Sequence, residues 1–147
     1  MQDTLDNVLA AKGGAIHYVP PETTVLHAVE KMNRERIGAV LVCISGEMVG
    51  IFTERDVLCR VVGEGRDPAS TQVIDVMTTE VVAVRSTTSV EEAMAVISER
   101  RFRHLPVVDD GKLVGVVSSG DLTRRVSRDQ EGHIQDLMNF ITGKYPR

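Results

Sequence analysis

The chain carries an internal duplication in which the second copy follows the first at an offset of 65 residues. The match begins at Thr23 and continues without a gap to Val61. Within it, the stretches GIFTERDV (50–57) and GVVSSGDL (115–122) share one pattern: Gly, two apolar residues, a hydroxyl, two variable residues, Asp and an apolar residue. A constant offset over this length indicates two copies of one structural unit.

Each copy changes its hydrophobic period in the same order. Short apolar runs, AIHYV and EVVAV, predict a first strand, and the helical spacing in TTVLHAVEKM and TSVEEAMAVI predicts a helix after it. Two further strands follow, joined by tight turns at Ser45-Gly46 and Asp110-Gly111. A closing helix begins at the motif hydroxyl. The order strand, helix, strand, strand, helix predicts an α+β fold.

These elements divide the chain into a first repeat over 5–62, a polar linker over 63–70, a second repeat over 71–128 and a tail over 129–147. A repeat of roughly 60 residues buries so little apolar surface that it would be only marginally stable alone. Side-by-side packing of the two repeats would solve this and would create a cleft between them.

The tail predicts an amphipathic helix, because its apolar residues recur at helical spacing. These residues are Ile134, Leu137, Met138 and Ile141. Such a helix either packs on its own domain or forms a dimer contact, and both alternatives stay open.

Net charge and chain organisation exclude several classes of function. A net charge of −4 argues against broad attraction to nucleic acid or an anionic membrane. No stretch has the length of a membrane span, and the N-terminus lacks a signal-peptide pattern, so we expect a cytoplasmic protein. Cys43 and Cys59 show neither disulfide nor metal spacing and are interpreted as packed thiols. No catalytic constellation and no metal site is predicted.

The doubled motif admits two interpretations. Thr53 and Ser118 stand where a helix N-cap belongs, and Asp56 and Asp121, three residues later, resemble the partner in a capping box, so capping alone explains the spacing. The functional alternative uses the same geometry. A helix N-terminus offers free N–H groups to a phosphate, and a nearby carboxylate accepts hydrogen bonds from vicinal hydroxyls. A phosphate beside a diol indicates a nucleotide.

Duplicated units of this kind, each ending in Gly-apolar-apolar-Thr/Ser-x-x-Asp, resemble cystathionine-beta-synthase (CBS) domains. The resemblance covers about residues 5–128, and the segment RFRHLPVV is similar to the phosphate-side strand of the nucleotide-sensing gamma subunit of AMP-activated kinase. It implies two βαββα repeats packed about a pseudo-twofold axis as a Bateman module, with adenine nucleotides bound in two clefts between them. It also implies a homodimer.

Carried over residue by residue, the resemblance implies a composition for each cleft. The first cleft would contain Thr53 and Asp56, with Val82 and Ala83 near the base and Arg103 and His104 at the phosphate. The second cleft would contain Ser118 and Asp121, with His17 and Tyr18 near the base and Gly38 and Ala39 at the positions equivalent to Arg103 and His104. Because Gly38 and Ala39 are small and uncharged, we expect Arg55 to supply a cation to the second cleft, and we expect the two sites to differ in affinity.

The residues and the resemblance together predict a regulatory module that binds AMP, ADP, ATP or an NAD-like compound and reports it by changing shape. Because no enzyme or transporter domain is attached in this chain, the response would pass to a separate protein. The alternative is a structural or interaction protein of the same fold that binds no ligand, favoured by Gly38, Ala39 and Gly120.

Overall fold

The computed structural model describes residues 3–13 and 15–126 and confirms the predicted α+β class. The tail helix predicted within 129–147 lies outside the described residues. In chain order the elements are α1 (Leu5–Lys12), β1 (Tyr18–Val19), α2 (Val25–Glu35), β2 (Ala39–Ile44), β3 (Glu47–Thr53), α3 (Glu54–Asp56, continued by a π-helix over Val57–Val62), a 3-10 turn (Val73–Asp75), α4 (Val90–Arg100), β4 (His104–Asp109), β5 (Lys112–Ser118) and α5 (Ser119–Val126).

The hairpins of the two repeats have the same turn conformation. Ser45 and Gly46 both have positive φ (50° and 83°), as do Asp110 and Gly111 (50° and 77°). Two consecutive residues of positive φ form the type I′ turn that matches the twist of a two-stranded ribbon. The predicted turns are confirmed.

The long helices of the two repeats, α2 and α4, begin and end alike. The Thr24 hydroxyl accepts from the amide of His27, and the Ser89 hydroxyl accepts from the amide of Glu92. These caps satisfy amides that have no partner within the helix. Both helices end at an arginine in the left-handed region, Arg36 and Arg101, which occupy equivalent positions of the repeat.

The first strand of each repeat is shorter than the apolar runs AIHYV and EVVAV predict. In the first repeat only Tyr18–Val19 pairs, parallel to β2, and in the second only Val84 does, through a single bridge to Val107. Thr78, six residues earlier, still pairs with Ile51 of the first repeat. The residues between Thr78 and Val84 pass from one sheet to the other and therefore cannot form a strand.

The segment that opens each repeat, here called its entry segment (5–12 in the first repeat and 73–78 in the second), packs into the core of the other repeat. The amide of Leu5, at the start of α1, donates to Thr88 O (2.9 Å), and the amide of Val73 donates to Thr23 O (2.8 Å). Leu5 is buried in the second core and Val73 in the first. The two repeats thus exchange their entry segments, whose apolar side chains complete cores that neither repeat closes alone. The linker over 63–70 stays a prediction.

The two repeats meet through a third apolar cluster. Leu41, Cys43 and Ile51 are buried there, and Leu113 and Val116 of the second repeat pack against them. Cys43 is thus the packed thiol that was predicted, and burial raises the pKa of its thiol. This contact joins the two repeats and brings residues of both to the clefts on either side of Ile51.

Candidate functional site

Both copies of the motif form reciprocal capping boxes. In the first, the Thr53 amide donates to Asp56 Oδ2 (2.9 Å) and the Asp56 amide donates to Thr53 Oγ1 (3.2 Å). In the second, the Ser118 amide donates to Asp121 Oδ2 (2.9 Å) and the Asp121 amide donates to Ser118 Oγ (3.1 Å). The capping interpretation is therefore confirmed as local structure.

Capping does not account for the surroundings of the two acids. Asp56 is only 4% exposed and Asp121 only 8% exposed, yet each lines an open cleft. The cleft at Asp56, here the first cleft, has a volume of about 900 Å³, and the cleft at Asp121, the second cleft, about 520 Å³. A capping box needs no cavity beside it, so the nucleotide interpretation keeps its structural basis.

The first cleft combines the motif of the first repeat with the start of β4 in the second. Thr53 and Asp56 face it from one side, and Arg103 and His104 contribute from the other. Three more cations line it: Arg55, Arg60 and Arg101. The closing helix continues here as a π-helix, in which the Gly63 amide donates to Leu58 O. Cys59 of this helix lines the cleft and is exposed, so the prediction that it is a packed thiol is wrong.

Three residues predicted for the clefts lie elsewhere. Val82 packs against the core of the second repeat and Ala83 is exposed, because this segment runs between the two sheets. Tyr18 lines neither cleft. It is exposed, with the Lys31 ammonium 6.0 Å from its ring centre, since alternate strand residues face opposite ways and His17 takes the cleft side.

The cation assigned to the second cleft, Arg55, lines the first cleft instead. Its Nη1 donates to Arg101 O at 3.5 Å, which holds the guanidinium on that side. The other predicted residues of the second cleft line it together: Ser118, Asp121, His17, Gly38 and Ala39.

The two clefts share a wall made of Gly38, Ile51 and His104, which line both. A Cβ at Gly38 would overlap the carboxylate of Glu54 and would lie 3.5 Å from His104 Cε1. The small residue at this position therefore makes room for Glu54. Burial lowers the pKa of His104, and the Glu54 carboxylate partly opposes that shift.

Sequence reasoning missed the cations of the second cleft, which are Lys12, Arg36 and Arg124. The Lys12 ammonium donates to Asp121 Oδ2 (2.9 Å) and Val116 O (2.8 Å). A signal was present, because Leu5, Val8, Leu9 and Lys12 recur at i, i+3, i+4 and i+7 and so share one helix face. Burial tends to raise the pKa of Asp121, but hydrogen bonds from Lys12 and the Ser118 amide outweigh it, so the pKa is lowered.

A side chain added at the glycine of either motif would meet protein, although Gly115 also lines the second cleft. A Cβ at Gly50 would lie 2.6 Å from Met77 Sδ, and one at Gly115 would lie 2.6 Å from Leu9 Cδ2. Each glycine thus admits the entry segment that packs on its strand, which favours relief of crowding over approach to a ligand.

Within residues 3–13 and 15–126, no group of three or more His, Cys, Asp or Glu is arranged to hold a metal ion. No helix in that part of the chain is long and apolar enough to cross a membrane. The absence of a metal site stays a prediction for the whole chain.

Comparison with known proteins agrees with the duplication. The family model of the CBS domain matches residues 14–63 and 73–128. The chain belongs to the CBS-domain family. Among relatives, the CBS domain-containing protein CBSX3, mitochondrial, of Arabidopsis thaliana is 36% identical over 97% of this chain and 73% of its own length. Both matched ranges contain one motif each, so the protein is a CBS domain pair.

Solved CBS structures share this fold. The CBS domain structure NE2398 superposes with a TM-score of 0.82 at 38% identity, covering 86% of this chain and 98% of the other. The CBS domain pair of protein MJ0100, in complex with 5′-methylthioadenosine and S-adenosyl-L-methionine, superposes with a TM-score of 0.78 over 88% of this chain and 99% of that chain. Its identity is 19%, so this second likeness is one of fold.

Proposed function

We propose that this CBS domain pair is a regulatory module that binds adenosine nucleotides such as AMP, ADP, ATP or NAD in its two clefts and reports their presence to a partner protein. One observation carries the proposal: each buried motif acid lines a cleft to which both repeats contribute. A ligand that touches both repeats binds more tightly to one arrangement of them than to another, so it can shift their equilibrium.

The first cleft offers chemistry suited to both ends of a nucleotide. Asp56 at the tip of α3 supplies a carboxylate for the ribose hydroxyls, and Arg103 and Arg101 supply planar donors that can hold a phosphate. These groups recognise a ligand without a bond being made or broken, so the proposal assigns the clefts to binding rather than catalysis. That the MJ0100 pair, of the same fold, was solved with two adenosine compounds supports this ligand class.

Isothermal titration with AMP tests the proposal. We expect Asp56→Asn to weaken binding in the first cleft and Asp121→Asn to weaken it in the second. Each loss should be roughly 10- to 100-fold, since hydrogen bonds to a charged group contribute about 1.5–3 kcal/mol. Asp109→Asn is the matched control, because Asp109 bonds to Ser86 and lines neither cleft. Circular dichroism checks that the variants fold.

Two results would contradict the proposal. If the Asp56→Asn, Asp121→Asn double variant binds AMP as the parent does, the acids are helix caps only. If AMP, ADP, ATP and NAD all fail to bind at millimolar concentration, the alternative of a non-ligand interaction protein is favoured.

The closing helices support the proposed homodimer. Leu58 and Val62 of the first repeat are 66% and 65% exposed, and Val126 of the second is 52% exposed. Leu58 and Val62 lie four positions apart on one helix, and contiguous exposed apolar surface marks interaction sites. Sedimentation velocity should show that the parent protein is a dimer. Val62→Lys should dissociate this dimer, whereas Leu26→Lys, on the surface of α2, should leave it intact. A monomeric parent protein would contradict the dimer.

A further inference from the structure

Two cations contact the acid of the second cleft. The Lys12 ammonium lies 2.9 Å from Asp121 Oδ2, and Arg124 Nη2 lies 2.6 Å from Asp121 Oδ1. Each carboxylate oxygen therefore already accepts from a positively charged donor. A neutral diol that approaches Asp121 meets a carboxylate whose charge is compensated.

The acid of the first cleft has different partners. Asp56 Oδ1 accepts from the Thr78 hydroxyl (2.9 Å), and Oδ2 accepts from the amide and hydroxyl of Thr53. Arg60 Nε lies 3.8 Å from Oδ1. Thr78 belongs to the segment that packs over Gly50, just as Lys12 belongs to the segment that packs over Gly115. Equivalent segments thus place a neutral hydroxyl on one acid and an ammonium on the other.

Space is present beyond the Lys12 ammonium. A further cavity of about 390 Å³ adjoins the second cleft and shares Lys12, Asp121 and Arg124 with it, while Val8 and Ala11 of α1 form an apolar side. The Lys12 side chain is 41% exposed. An ammonium has three donors, and Asp121 and Val116 O use two of them, so one is left to a ligand in this cavity.

We propose that Lys12 is a specificity-determining residue that makes the second cleft select a nucleotide phosphorylated on a ribose hydroxyl, at the 2′ or 3′ position. The first cleft takes a ribose with a free diol. The inference rests on the proposed function. Dinucleotide sites show the same physical choice, since a bare carboxylate binds the 2′-hydroxyl and a cation accommodates a 2′-phosphate. Here the phosphate accepts from Lys12 and extends into the adjoining cavity.

The three isomers 2′-AMP, 3′-AMP and 5′-AMP test this inference, because they carry equal charge and differ only in where the phosphate sits. Calorimetric titration in the Asp56→Asn background isolates the second cleft. We expect 2′-AMP or 3′-AMP to bind roughly 10-fold or more tightly than 5′-AMP, the scale of one charge-assisted hydrogen bond. Lys12→Gln should remove the preference and Lys12→Arg should retain it. Lys112→Gln makes the same charge change at an exposed residue at the start of β5 and should also retain the preference.

A second measurement uses the unsubstituted chain, so the test survives a poorly folded variant. The NMR signals of the Lys12 ε-methylene, assigned through Lys12→Arg, should shift with 2′-AMP or 3′-AMP and stay in place with 5′-AMP at equal saturation. An isomer preference that persists in Lys12→Gln would overturn the inference, as would equal affinity for all three isomers. Failure of every isomer to bind the second cleft would also overturn the inference, whereas failure of AMP, ADP, ATP and NAD to bind either cleft would refute the proposed function.

Discussion

Replacing Gly50 with alanine separates two roles for the motif glycine. The new Cβ would lie 2.6 Å from Met77 Sδ and 2.9 Å from Thr78 O. The sulfur can rotate away, but Thr78 O accepts from the amide of Ile51 (2.9 Å) and cannot withdraw without breaking that bridge. The same shift would pull the Thr78 hydroxyl from Asp56. We therefore expect an effect on folding before any ligand is added.

The size of the effect follows from two opposing contributions. Forcing a methyl group into a packed strand costs about 1–3 kcal/mol. Replacing glycine stabilises by about 0.4–1 kcal/mol through the unfolded chain. We expect Gly50→Ala to lose about 1–2 kcal/mol. At the equivalent Gly115, the three heavy atoms nearest to the new Cβ all belong to the flexible Leu9 side chain. Gly115→Ala should therefore lose less than about 1 kcal/mol.

Urea denaturation of both variants, followed by circular dichroism, measures the difference in the free energy of unfolding. Equal losses at the two glycines would refute the argument that a fixed backbone oxygen makes Gly50 necessary. So would a Gly50→Ala protein with parental stability that no longer binds AMP, because the glycine would then serve the ligand rather than the entry segment.

Three further predictions concern the core and the buried titratable groups. Leu5→Ala should destabilise the protein by about 2–4 kcal/mol in urea, since Leu5 is fully buried in the second core, and a loss below about 1 kcal/mol would show that α1 is not part of it. Because burial lowers the pKa of His104 in the folded state, the unfolded chain binds more protons, and stability should fall as the pH drops below about 6.5; His104→Asn should lose this dependence, and an unchanged pH profile would contradict the assignment. The lowered pKa of Asp121 contributes stability above about pH 3.9 that is lost as the pH falls through the folded-state pKa; Lys12→Gln should therefore move acid unfolding to higher pH, and an identical acid midpoint would argue against the ion pair.

Local signals predicted local structure well. The apolar period, the hydroxyl caps and the Ser45-Gly46 and Asp110-Gly111 turns depend on neighbouring residues, and a repeat at constant offset specifies the unit twice. The capping boxes at Thr53 and Ser118 follow for the same reason, because capping partners lie three residues apart. The resemblance added which distant residues would face these motifs, and Arg103 and His104 do line the first cleft.

Long-range packing decided the rest. Each repeat leaves its core open and must take an apolar segment from elsewhere, and no local rule states that Leu5 closes the second core while Val73 closes the first. That exchange carries Lys12 to Asp121, more than a hundred positions away along the chain, and shortens the first strand of the second repeat. The sequence by itself determined two units, each with an acid in the cap of its closing helix. Only the tertiary structure decided which charge meets each acid, because that depends on which entry segment fills the neighbouring core.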